Sequence, residues 1–69
     1  MKVGDLVMYV ADDRYARWFF GKIGVVVTMS RVASPKSCRV QWTEPVAYHD
    51  KYTTFSDFKA AKFEVIKCS

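Results

Sequence analysis

The sequence predicts an all-β fold, a small five-stranded barrel with one short helical turn before its last strand. Three observations predict it. The chain has 69 residues, of which 51% are apolar, with five Phe, four Tyr and two Trp; that is one domain (1–69) with enough bulky side chains for a compact core. Its apolar segments are short and rich in β-branched and aromatic residues, as in strands. No stretch has the length and period of an amphipathic helix, so a two-helix α/β plan is excluded. Closing the sheet would remove the edges that an open sheet of this size exposes.

Residues 6–10 read as the first strand, with Leu6, Met8 and Val10 on one face and Val7 and Tyr9 on the other. Residues 11–17 are polar and read as a loop, and Trp18-Phe19-Phe20 reads as a short extended segment. Gly21-Lys22-Ile23-Gly24 supplies two permissive glycines for a turn. Residues 25–29 form the second strand, and 30–37, with Pro35, a connection. In 38–43, Cys38, Val40 and Trp42 alternate with Arg39, Gln41 and Thr43, the pattern of a half-buried antiparallel strand. Residues 44–52, with Pro45, read as a loop and 53–55 as a short fourth strand. Residues 56–61 read as a helical turn capped by Ser56 or Asp57, and 63–66 as the closing strand. The expected core is Leu6, Met8, Val10, Ile23, Val25, Val27, Val40, Trp42, Phe55, Phe58, Phe63 and Val65.

The net charge of +4 is unevenly placed. Residues 14–43 carry Arg14, Arg17, Lys22, Arg31, Lys36 and Arg39 and no acid. Such a stretch suits phosphate, an acidic protein surface or water. No apolar signal segment follows Met1, and the longest apolar run is far short of a membrane span, so a cytosolic product is expected with no membrane partner. Cys38 and Cys68 are too far apart for a zinc or redox pair and read as free thiols.

The order Val3-Gly4-Asp5-Leu6-Val7, Gly21-Lys22-Ile23-Gly24-Val25-Val26-Val27, Arg39-Val40-Gln41-Trp42 and Phe63-Glu64-Val65-Ile66 resembles the SH3-like barrel plan. It is similar to KOW and Tudor-type modules, and most of all to short proteins of tailed, often marine, bacteriophages. The resemblance spans nearly the whole chain. Its motifs are structural glycines and core positions, so what it implies is a fold, and with it a phage protein acting in the host cytoplasm or the virion. The chain departs from signalling SH3 domains: Trp42 has no neighbouring Trp, and Asp12, Asp13 and Tyr15 match the acidic aromatic loop only loosely. Recognition of proline-rich peptides does not carry over.

Nothing in the spacing points to catalysis. His49 has Asp50 beside it, but no signal pairs it with Cys38 or Cys68. Asp12 and Asp13 read as a solvated turn, and Gly21 to Gly24 lacks the length of a phosphate loop. No enzyme, cofactor, metal or small-molecule substrate is expected. An aromatic cage of Trp42, Tyr48 and Tyr52 beside Asp50 is conceivable but is less economical than Trp42 in the core. Residues 14–22, where cations and rings interleave, are the most informative. Tyr15, Arg17, Trp18, Phe19 and Phe20 suit a protein interface with a phage or host protein or with a second copy. Arg14, Arg17, Lys22, Arg31, Lys36 and Arg39, with Trp18 or Tyr15 stacking on bases, would suit a nucleic acid instead.

Overall fold

A computed structural model of the chain describes residues 1–30 and 37–68. It contains strand β1 (Leu6–Tyr9), a single helical turn α1 (Ala16–Phe19), and strands β2 (Ile23–Met29), β3 (Ser37–Tyr48) and β4 (Lys51–Lys59). A 3-10 turn (Ala60–Lys62) then leads into β5 (Phe63–Lys67). The strands form one antiparallel sheet in the order β4-β3-β2-β1-β5. The all-β class, the five strands and the turn before the last strand are as the sequence predicts. The sheet itself is not closed by hydrogen bonds, since β4 and β5 are its two edges. Side chains reach across that seam, with the rings of Phe58 and Phe63 at 6.1 Å.

Several elements differ from the sequence reading. Residues 18–20 are not extended. The Asp13 carbonyl accepts from Ala16 N–H and its carboxylate from Tyr15 N–H, an Asx-type turn that starts α1. Gly21, at φ 79°, ends it in the left-handed conformation. Residues 44–48 are not a loop, because β3 runs on through Pro45. The ladder to β4 shifts register between Gln41 and Val46, and Pro45 sits in that irregularity, where its missing N–H leaves no gap. The short strand expected at 53–55 is nine residues long. Ser56 and Asp57 therefore lie in β4 rather than capping a helix, and the 3-10 turn starts four residues after Ser56 without a side-chain cap.

The core also differs from the expected one, most of all on β1 and β2. It comprises Val7, Tyr9, Phe19, Val26, Cys38, Val40, Trp42, Val46 and Phe63. Phe58 and Val65 pack against it. On β1 and β2 the buried face is the opposite of the one expected: Val7, Tyr9 and Val26 point in, while Leu6, Met8, Ile23 and Val25 are half-buried on the outer face. Val10 is half-buried, and Val27 and Phe55 are exposed. Rings dominate the interior: Phe19 stacks on Trp42 at 5.3 Å, and Tyr9 meets Phe58 at 5.1 Å and Phe63 at 5.5 Å edge-on. The indole N–H of Trp42 donates to Ser56 Oγ at 3.1 Å.

The fully buried Tyr9 has one hydrogen-bonding outlet. Its hydroxyl donates to both carboxylate oxygens of Asp13, at 2.8 and 2.9 Å. Lys62, on the 3-10 turn, also donates to Asp13. The hydrogen bond from Lys62, helped by those from Tyr9 and Tyr15, holds the Asp13 carboxyl below the usual range against the opposing effect of burial. Burial, then the Asp13 hydrogen bond and charge, pushes the Tyr9 hydroxyl far above its ordinary value. Asp13→Ala leaves that hydroxyl buried without an acceptor and is expected to cost about 1–3 kcal/mol in urea denaturation at neutral pH. Because the folded-state pKa of Asp13 is depressed, its contribution is present above the unfolded value near about 4 and lost as pH falls through the lower folded value. The gap between wild type and variant is expected to narrow on acidification. A gap independent of pH would contradict a role for the carboxylate charge.

Candidate binding cleft

The Asx-type turn and α1 set Arg14, Tyr15, Arg17 and Trp18 against the end of β3 and the β3–β4 hairpin. His49 takes a left-handed φ of 55° in that hairpin, between the paired residues Tyr48 and Lys51. Arg14, Tyr15, Arg17, Trp18, Tyr48 and His49 together line an open cleft of about 320 Å³. Trp18 lies edge-on to Tyr48 at 4.8 Å and 4.7 Å from the His49 ring, and Tyr48 and His49 are 4.3 Å apart. The Arg17 guanidinium stands over Trp18 at 5.0 Å. The Arg14 guanidinium stands over Tyr15 at 5.0 Å and donates to its hydroxyl at 3.0 Å. Among the described residues neither arginine makes an ion pair. The cleft thus offers half-exposed rings with two cations beside them.

The residues expected at an interface divide. Tyr15, Arg17 and Trp18 line the cleft. Phe19 does not, because it is 2% exposed in the core. Phe20 is 58% exposed but lies outside the cleft lining. The six cations expected to contact nucleic acid divide as well. Arg14 and Arg17 share the cleft, whereas Lys22 lines a separate groove with Gly21, Thr43 and Glu44. Arg39 is held bidentately by Asp57, at 2.8 and 3.1 Å, over the Phe55 ring at 5.1 Å. That pairing keeps the Asp57 carboxyl below its usual range. Arg31 and Lys36 lie outside the described residues. The acid-free sequence stretch is therefore not an unbroken cationic track in space, since β4 brings an acid to it.

Tyr48 and His49 join the cleft although nothing in the sequence links them to residues 14–22, and His49 does so as an exposed residue of the hairpin turn. The available signal was a β-hairpin turn at His49-Asp50 ending a strand that continues past Pro45. The other constellations do not assemble. Trp42 is 4% exposed and Tyr52 77%, so the cage does not form. Cys38 is buried, its thiol pushed up by burial and then by Asp57, whereas His49 is exposed at the hairpin. Asp12 is exposed while Asp13 is bound to Tyr9, Tyr15 and Lys62. Among the described residues no three of His, Cys, Asp and Glu group as metal ligands, and no helix is long and apolar enough to cross a membrane. No protein-family model, curated protein or solved structure matches the chain.

Proposed function

We propose that the chain is a non-enzymatic binding module of SH3-like plan that takes a segment of a partner protein in the cleft of Arg14, Tyr15, Arg17, Trp18, Tyr48 and His49. The strand order β4-β3-β2-β1-β5 and the 3-10 turn before β5 support the SH3-like reading. The resemblance to short phage proteins extends the proposal to an accessory or structural protein of a tailed phage, at work in the host cytoplasm or the virion. One observation carries the binding reading: three rings converge at 4.3–4.8 Å beside two guanidiniums that have no carboxylate partner among the described residues. Aromatic rings and arginines are the usual anchors of protein interfaces. The complementary segment carries carboxylates flanking an apolar or proline side chain. A nucleic acid needs a run of cations along its backbone, and the pairing of Arg39 with Asp57 interrupts the one the sequence suggests.

The test is a fluorescence titration with a panel of Asp/Glu-rich peptides containing Pro or Trp, and with oligo-dT, at about 50 and 200 mM salt. Peptide binding that persists at the higher salt is expected. Trp18→Ala should weaken it by about 2 kcal/mol, roughly thirtyfold in Kd. Replacing Arg14 and Arg17 together by Ala should remove the preference for acidic peptides. Oligo-dT binding that collapses with salt, without peptide binding, would transfer the cleft to the nucleic-acid reading.

A further inference from the structure

The cleft does not end at Tyr15. A second open stretch of about 280 Å³ shares Tyr15 and Tyr48 with it and continues to Thr53, Ser56, Asp57 and Phe58 of β4. Three of these β4 residues are consecutive, and neighbouring side chains of a strand point to opposite faces. Phe58 packs on the core and Ser56 Oγ accepts from the Trp42 indole, so both point inward. Asp57 points outward, where Arg39 holds it. A groove that touches all three runs along the backbone edge of the strand, not over one of its faces. β3 occupies one edge of β4, and among the described residues no strand occupies the other. That free edge is nine residues long and turns alternate N–H and C=O groups outward.

We infer that the partner segment binds as an extended acidic strand, added by backbone hydrogen bonds to the free edge of β4. The inference rests on the peptide reading of the cleft and gives it a mode: main-chain bonds supply affinity and the groove selects side chains. Charge selects the occupant. β4 begins and ends with exposed lysines, Lys51 and Lys59. Arg14 and Arg17 line the groove from the α1 side, and the carboxylate in its described lining, Asp57, is already held by Arg39. The charges left to answer are cations, so the complementary strand carries carboxylates. Lysines on an edge repel the same edge of another copy, so the pairing is with a different, acidic chain. Alternate side chains of the added strand turn toward the rings of Tyr15 and Phe58, which favours apolar residues between the acids.

The probe is a capped peptide of alternating Glu and Val, as long as β4, and the readout is amide hydrogen exchange followed by NMR. The β4 amides that point away from β3 should exchange at least about tenfold more slowly with the peptide at saturation than without it. A fully N-methylated version, which keeps the side chains and loses the donors, should bind at least about tenfold more weakly. Lys51→Glu combined with Lys59→Glu should weaken the unmethylated peptide about tenfold at low salt. Both lysines are exposed, and circular dichroism reports folding. Binding that requires Trp18 but leaves these β4 amides unprotected and tolerates N-methylation overturns the strand pairing and keeps the cleft. Binding of acidic proline peptides, but not of the Glu/Val peptide, does the same. If neither kind of peptide binds, both readings fall.

Discussion

Phe19→Ala is expected to unfold much of the population at 25 °C, not to weaken binding selectively. Phe19 is 2% exposed and its ring lies 5.3 Å from Trp42 and Tyr48, 5.1 Å from Phe58 and 6.0 Å from Tyr9. Truncating a buried Phe costs about 3–5 kcal/mol through lost transfer energy and the cavity left behind. At about 0.05–0.15 kcal/mol per residue, a domain of this length has only some 3–10 kcal/mol in all. Urea denaturation followed by far-ultraviolet circular dichroism measures the loss. Phe20→Ala, one residue on and more than half exposed, should change stability by no more than about 0.5 kcal/mol. Equal effects at the two positions would contradict the burial of Phe19 and the exposure of Phe20.

Gly24→Ala should lower the melting temperature by about 10 °C or more, from a clash of at least 1–3 kcal/mol. A Cβ at this position would stand 2.3 Å from Val40 Cγ1 and 2.7 Å from the carbonyl oxygen of Gln41. Val40 is fully buried and cannot swing away, and Gln41 is backbone in the ladder that pairs β2 with β3. Relief therefore requires parting the two strands where Gly24 faces Trp42. The reduced entropy of the unfolded chain would offset only about 0.4–1 kcal/mol. Thermal denaturation of the two proteins in parallel decides it. An unchanged melting temperature would show that β2 and β3 do not approach as described.

The legibility of the fold follows the chemistry of each strand. On β3, Cys38, Val40 and Trp42 alternate with Arg39, Gln41 and Thr43, so only one face can be buried, and the inward side could be read directly. On β1 and β2 both faces are apolar, and periodicity alone cannot choose between them. Only the pairing of Val7 with Val65 and of Val26 with Val40, against rings from α1 and β4, selects the inner side. Asp13 and Gly21 mark the helical turn, but the three consecutive rings Trp18, Phe19 and Phe20 read equally well as a strand.

The cleft was legible by half, and for the same kind of reason. Arg14, Tyr15, Arg17 and Trp18 are neighbours in sequence, so their interleaving of cations and rings shows before any folding. Tyr48 and His49 reach them only because β3 passes through Pro45 and turns at the hairpin, and Arg39 leaves the cationic set only because β4 carries Asp57 alongside it. What the sequence by itself determined was therefore local: the strand-forming segments, the glycine and proline punctuation, and the basic aromatic segment. Which faces point inward, which rings share a cleft and which charges are neutralised were decided by tertiary structure, because those properties belong to pairs of residues that chain order keeps apart.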